Sequence, residues 1–264
     1  MVNKSPLRYP GGKTRACKVL DEAMCERFNM KDFDVLVSPF FGGGSFEFFL
    51  QTKYDCRIVA NDKFEPLYNF WSVCKSDKSE LVRMLYEKAG KITSEIFKEY
   101  RDSIMGDNDR FSRALKYFSI NRCSFSGSTL SGGYSSESNK KRFTTSSVDR
   151  VGSLDLENVE FSNLDFSDFL SRDFGENSII FLDPPYYLGT GSKLYGQRGD
   201  IHESFQHDKL EECLRSKKNW VMTYNDCEYV RNLYSNYEIV ETAWSYGMNS
   251  SKKSSEIIII KKND

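Results

Sequence analysis

The chain has 264 residues, 39% of them hydrophobic and 14% aromatic, which is enough bulk for a real core and argues against disorder. Its 37 Lys and Arg against 38 Asp and Glu leave a formal charge of −1, which taken alone gives no signal for a polyanionic partner. The longest aliphatic run, Ile257–Ile260, excludes a membrane-spanning helix; the start MVNKSPLRYPGGK lacks the apolar stretch of a secretory leader; and seven scattered cysteines without a CxxC pair point to reduced thiols rather than disulfides or structural zinc.

The neutral average conceals a distribution. The first 18 residues carry Lys4, Arg8, Lys13, Arg15 and Lys18 and no acid. Residues 113–150 carry Arg113, Lys116, Arg122, Lys140, Lys141, Arg142 and Arg150 against only Glu137 and Asp149. The length suits about two domains, or one with an insertion.

In chain order, Asp34–Ser38 reads as a buried strand, Gly42–Gly44 as a turn, Ser45–Gln51 as a helix and Cys56–Ala60 as a second strand ending at Asn61-Asp62. This is a βαβ unit. Apolar spacing through Leu67, Phe70, Trp71, Cys74, Leu81, Leu85, Ile96, Tyr100, Ile104, Leu115 and Phe118 then predicts several helices and no strand. Asn121–Ser147, rich in Ser, Gly and Thr, reads as a long loop or hairpin, and loops of that length are usually functional. Alternation resumes with a strand at Val159–Phe161, a helix at Asp165–Leu170, a strand at Ser178–Leu182, a helix at Phe205–Arg215, a strand at Trp220–Thr223 and a helix at Glu228–Leu233. Tyr237–Val240 and Glu256–Lys261 close the chain as an antiparallel pair. The fold class is α/β, one sheet split by a helical insertion.

Two apparent motifs fail on spacing. Gly11-Gly12-Lys13-Thr14 lacks the first glycine of a triphosphate-binding loop, which would fall at Leu7, and no strand precedes it. Gly42-Gly43-Gly44 lacks the third glycine of a dinucleotide fingerprint, which would fall at Glu47. What remains is a glycine turn between strand and helix, where backbone can approach a ligand and a helix N-terminus can meet an anion. Asp62 follows about twenty residues on, as suits a ribose diol. His202, His207 and Asp208 fit no common metal-ligand spacing, and Trp220, Met222 and Trp244 read as core.

The sharpest signal is Asp183-Pro184-Pro185-Tyr186 at the carboxyl end of a strand. Two prolines rigidify the turn. The exocyclic amine of a nucleobase is a poor nucleophile because its lone pair is delocalised into the ring. Asp183 and the Pro184 carbonyl can accept its two hydrogens, and Tyr186 can stack on a base taken out of the duplex.

With these residues assembled, the chain resembles the Dam-like (alpha-class, D12) family of DNA adenine-N6 methyltransferases. The family's aromatic-x-Gly-Gly-Lys motif is matched by Tyr9–Lys13, its Pro-Phe-x-Gly-x-Gly-Ser motif by Pro39–Ser45, its strand-end acid by Asp62, its Asp-Phe pair by Asp165-Phe166, and its DPPY by residues 183–186. The matches run in family order over essentially the whole chain. The resemblance implies a Rossmann-like S-adenosylmethionine-dependent methyltransferase sheet with a helical target-recognition insertion. It divides the chain into 1–64 and 152–264 as catalytic parts and 65–151 as the insertion. It implies S-adenosylmethionine bound by Tyr9, Lys13, Phe40, Gly42, Gly44, Asp62, Asp165, Phe166 and Asp183, catalysis by Asp183, Pro184 and Tyr186, and no metal. The expected reaction is site-specific transfer of methyl to N6 of a flipped-out adenine in double-stranded DNA.

In the insertion, Asn121-Arg122 and Phe125-x-Gly127 follow the family pattern, while Leu130 stands where GATC enzymes carry a guanine-reading arginine. Leucine cannot make that bidentate pairing, so the sequence argues against GATC as target. Arg122, Phe125, Ser126, Lys140, Lys141 and Arg142 are the expected DNA contacts, with Phe125 as a wedge and Lys140, Lys141 and Arg142 on phosphates. The same reading expects a monomer in the cytoplasm of a bacterium or of a cell hosting a phage or virus, no membrane association, and room for a cognate restriction endonuclease. An amino-methyltransferase on RNA or on cytosine N4, and a silent DNA-binding protein, are the alternatives. Asp at the head of DPPY and the intact motifs disfavour them.

Overall fold

Parallel strands covered on both faces are apolar at nearly every position, and this pattern sets the architecture. The computed structural model describes residues 3–9, 12–187, 205–241 and 256–262. Pro10 and Gly11 of the first motif, His202 and Trp244 lie outside the described residues. Strands β1 (Val35–Ser38), β2 (Arg57–Asn61), β3 (Val159–Ser162), β4 (Ser178–Leu182) and β5 (Trp220–Asn225) pair in parallel. Strand β7 (Glu256–Lys261) is antiparallel to both β5 and β6 (Glu238–Glu241). The sheet order is β3-β2-β1-β4-β5-β7-β6.

Alternate residues feed two cores. Leu36, Ile58, Ile179, Phe181 and Val221 join helices α1 (Cys17–Cys25) and α2 (Ser45–Tyr54) on one face. Val37, Val59, Ile180, Leu182, Trp220 and Met222 join α9 (Phe166–Leu170), α10 (His207–Arg215) and α11 (Glu228–Leu233) on the other. Trp220 and Met222 are core, as their sequence context suggests. The chain runs from β1 outward to β2 and β3, then returns to β4 on the far side of β1. That reversal opens a crevice beyond the carboxyl ends of β1 and β4, where ligands of α/β sheets bind.

Between β2 and β3 lie α3 (Glu65–Ser76), α4 (Lys78–Lys88), α5 (Ser94–Ser103), α6 (Arg110–Cys123), α7 (Ser136–Arg142) and α8 (Thr145–Gly152), with no named strand among them. Helix α6 packs against α3, α4, α5 and α7. The expected long loop at 121–147 is instead mostly short helices. Its serines and threonines act as helix starts rather than loop filler: Ser135 Oγ accepts from Ser138 N at 3.1 Å, and Ser147 Oγ accepts from Thr144 N at 3.1 Å. Two short 3-10 turns, Phe125–Gly127 and Thr129–Ser131, join α6 to α7.

The first helix of this group also supports the sheet. Trp71 of α3 is buried against Phe41, Phe48 and Phe161, with ring centroids 5.4, 5.7 and 5.8 Å away, and its Nε1–H donates to the Gly42 carbonyl at 3.0 Å. Truncating such a buried tryptophan costs about 3–5 kcal/mol. Here it would also release the glycine turn.

Candidate active site

The glycine turn after β1 needs its glycines. Gly42 sits at φ +50°, and a Cβ there would lie 3.0 Å from the Tyr9 ring. Gly44 sits at φ +66°, with Phe41 Cζ only 2.4 Å from where a Cβ would be. A larger residue at either position would carry backbone strain and displace an aromatic ring. Tyr9 therefore packs directly on the turn.

Asp62, just past β2, closes the turn from the other side. Its Oδ2 accepts from Gly42 N at 2.9 Å and its Oδ1 from Phe64 N at 2.9 Å. Burial pushes its carboxyl up to about 6, against the pull of those two N–H donors. A carboxylate has about four acceptor sites, so two remain for a diol. Asn61 beside it is fully buried and ties three loops together. Its Nδ2 donates to the carbonyls of Pro39 and Leu164, both at 3.1 Å, and its Oδ1 accepts from Leu164 N at 2.8 Å. Nothing in the spacing of the motifs singles out Asn61.

After β3, Asp165 caps α9. Its Oδ1 accepts from Ser167 N and Oγ at 3.1 and 2.9 Å, and Lys63 pairs with its Oδ2 at 2.7 Å. Burial raises this carboxyl, but Lys63 and Ser167 outweigh it and hold the group down near about 2. Phe166, the next residue, meets Phe40 and Phe205 at centroid distances of 5.8 and 5.3 Å, and Phe40 meets Phe205 at 5.6 Å. Phe205 completes this aromatic trio from a remote stretch of chain and carries no motif of its own.

The DPPY turn follows β4. Asp183 Oδ1 takes two partners: Lys13 Nζ at 2.7 Å and Thr223 Oγ1 at 2.7 Å. Among the described residues its Oδ2 has no hydrogen-bond donor. Pro184 is buried. The Tyr186 hydroxyl accepts from Lys13 Nζ at 2.8 Å and donates to Glu256 Oε1 at 2.8 Å. Asn225 Nδ2 holds the Tyr187 carbonyl at 2.6 Å, so β5 grips the turn at both ends, through Thr223 and Asn225. Thr223, Asn225 and Glu256 escape sequence reasoning because they are scattered polar residues on otherwise apolar strands. His207 is buried, bonds through Nδ1 to the Tyr224 hydroxyl and faces Tyr187, Phe205 and Tyr229.

Glu47 is a further buried acid near this turn. It is 3% exposed, and its Oε1 accepts from Ser38 Oγ at 2.7 Å. Burial, reinforced by the Asp183 charge, raises it to about 7, against the opposing pull of Ser38, its own backbone N–H and Lys13.

The N-terminal segment connects this crevice to the helical insertion. Arg8 N donates to Asn121 Oδ1 at 2.9 Å and Asn121 Nδ2 donates to Arg8 O at 2.6 Å. Arg8 packs on Gly127, whose φ is +76°. Arg122, one of the expected DNA contacts, is buried. It is 8% exposed, its Nε donates to the Arg142 carbonyl at 2.7 Å and its Nη1 to the Pro6 carbonyl at 3.1 Å. Burial, with Arg8, Arg150 and Arg142 nearby, pulls it down to about 10. It braces backbone instead of facing solvent. Phe125 is the reverse case, a large apolar side chain 66% exposed. Ser126 lies in the same turn, and its side chain is outside the described part. Lys140, Lys141 and Arg142 are exposed on α7, with Lys141 paired to Glu137 at 2.7 Å. Leu130 is buried in the core.

Two comparisons bear on this arrangement. The family model for D12 class N6 adenine-specific DNA methyltransferases matches residues 9–248. A protein of Methanocaldococcus jannaschii named Type II methyltransferase M.MjaIII is 24% identical over 204 residues, which cover 70% of each chain. Glycine turn, strand-end acids and DPPY thus lie inside a match that spans most of the sequence, and the chain belongs to the D12 class of N6 adenine-specific DNA methyltransferases.

Proposed function

We propose that this DNA adenine methyltransferase takes its methyl group from S-adenosylmethionine and works on an adenine flipped into the crevice between β1 and β4. The observation that carries the reading is the state of Asp183: Oδ1 is clamped by Lys13 and Thr223, which leaves Oδ2, with no donor among the described residues, as an acceptor at the carboxyl end of β4.

The residues fit the donor. The Gly42 turn under Tyr9 has no room for a Cβ, the acceptor capacity left on Asp62 suits a ribose diol, and Phe40 and Phe166 offer aromatic faces next to Asp165. S-adenosylmethionine supplies a methyl already activated as a sulfonium. The protein's task is then positioning. Asp183 Oδ2 and the Pro184 carbonyl accept the two amine hydrogens, which draws the N6 lone pair out of conjugation. Tyr186 stacks on the base. As the N6–carbon bond forms and the sulfur–carbon bond breaks, N6 becomes cationic, and its surplus proton departs through Asp183 Oδ2.

Exposed Phe125 is placed to fill the gap a flipped base leaves, and Lys140, Lys141 and Arg142 are candidates for phosphates. Arg122 serves as a brace rather than a phosphate contact. Buried Leu130 supports a target other than GATC. A monomer suffices for one strand at a time. The unpaired thiols suit a reducing cytoplasm, and the archaeal relative's name motivates a search for a cognate endonuclease.

The test is incubation with labelled S-adenosylmethionine and a panel of duplex DNAs, followed by base analysis. Label in N6-methyladenine, abolished in a folded Asp183→Ala variant, is expected. No N6-methyladenine on any DNA, or full activity in the variant, would overturn the assignment.

A further inference from the structure

Glu256 opens β7 opposite Asn225 of β5 and is 3% exposed. It lies beyond residues 9–248, which the family model matches. A carboxylate this deep is costly unless hydrogen-bonded or paired. Two of its partners belong to the reaction centre: Oε1 accepts from the Tyr186 hydroxyl at 2.8 Å, and Oε2 lies 4.0 Å from Lys13 Nζ. Lys13 in turn reaches the Tyr186 hydroxyl at 2.8 Å and Asp183 Oδ1 at 2.7 Å. The Tyr186 ring stacks on Tyr224 at 6.0 Å.

We propose that Glu256 is a positioning residue for methyl transfer, acting through Tyr186 and Lys13. This rests on the reading of Asp183 and Tyr186 given above. Its first action is directional. Because Lys13 can only donate, the Tyr186 oxygen must accept from it and send its own proton to Glu256. That fixes the hydroxyl, and with it the plane of the ring that stacks on the base. Its second action is electrostatic. With two carboxylates in reach, the Lys13 ammonium does not pair exclusively with Asp183. Without the Glu256 charge the ammonium would shift toward Asp183, drawing electron density from the carboxylate that accepts the amine hydrogen. Charge-assisted bonds of this kind are short and roughly twice as strong as neutral ones, and fixed dipoles aimed at developing charge count most in a water-excluded site.

Glu256→Gln separates these actions, since it keeps an acceptor for Tyr186 but loses the charge. Single-turnover methylation of a duplex with a known target should slow by about 10- to 100-fold in this variant. KM for DNA and the fluorescence rise of 2-aminopurine at the target position should stay within about threefold of the parent. Tyr186→Phe, which keeps the ring and removes the hydroxyl, should slow the reaction through the directional action alone and leave the Glu256→Gln loss standing, because that loss runs through the charge shared with Lys13. A single-turnover rate in Glu256→Gln equal to the parent's would overturn the proposal, as would a loss confined to KM or disappearance of the Glu256→Gln effect in the Tyr186→Phe background. Failure of the parent chain to methylate adenine would instead overturn the underlying reading.

Discussion

Asn121 and Arg8, 113 positions apart, exchange two hydrogen bonds through one side-chain amide and one backbone unit, at 2.9 and 2.6 Å. The amide mimics a neighbouring strand and fastens the segment that carries Tyr9 and Lys13 to the end of α6. Asn121→Ala would leave the Arg8 N–H and C=O without those partners, at a cost of about 2–4 kcal/mol for two partly buried groups. A fall in thermal midpoint is expected, together with a drop in kcat, since Lys13 loses its anchorage. Differential scanning calorimetry and a turnover assay check the two arms. An unchanged midpoint would show that the exchange is dispensable.

The second prediction concerns pH and the donor. Asp62 has its carboxyl raised to about 6 by burial, and only the carboxylate can accept from both hydroxyls of a diol. Affinity for S-adenosylmethionine should be full above that value and fall as pH drops through it, by up to about tenfold per unit. Titration calorimetry from pH 8 to 5 measures it. Asp62→Asn should bind weakly with a flat profile.

Glu47 gives a stability signature of opposite sense to a salt-bridged acid. Burial raises its folded value to about 7 from an ordinary 4.5, so the folded state holds a proton that the unfolded state releases. Stability from this group is therefore intact at low pH. It declines as pH rises from about 4.5 to about 7 and stays reduced above, by about 3 kcal/mol in all. Glu47→Gln keeps the acceptor for Ser38 and removes the titration. In urea unfolding it should match the parent to within about 1 kcal/mol at pH 5 and exceed it at pH 8. Parallel pH profiles would mean that Glu47 is ionised throughout.

Phe125 is 66% exposed at the tip of its turn. If it holds open the gap left by a flipped base, Phe125→Ala should cut kcat/KM on paired duplex by roughly 10- to 100-fold, and much less where the target adenine lies opposite an abasic site and is already unpaired. An equal loss on both substrates would point to general affinity instead.

Much of this architecture is legible in the chain. The βαβ opening, the helical stretch after Asp62 and the DPPY turn follow from periodicity and punctuation, because local spacing determines them. Serine-rich 121–147 misleads because capping residues and loop residues are the same amino acids, and only hydrogen bonds such as that from Ser138 N to Ser135 distinguish them. Arg122 misleads because a basic residue in a basic stretch reads as exposed, whereas packing turns it toward the Pro6 and Arg142 carbonyls. Thr223, Phe205 and Glu256 enter the site through strand pairing and helix docking across long separations, which no short motif records. A lone glutamate heading the run Ile257–Ile260 was the available clue, since a charge at the edge of so apolar a strand needs a buried partner.

The insertion of β7 between β5 and β6 also orders events during synthesis. A ribosome delivers Lys13 first and Asp183 much later, and the strand bearing Glu256 emerges after both, behind β1 to β6. The carboxylate that divides the Lys13 charge thus arrives after both groups it serves. A nascent chain lacking β7 would leave Tyr186 without its carboxylate partner, so full competence for methylation would wait for β7.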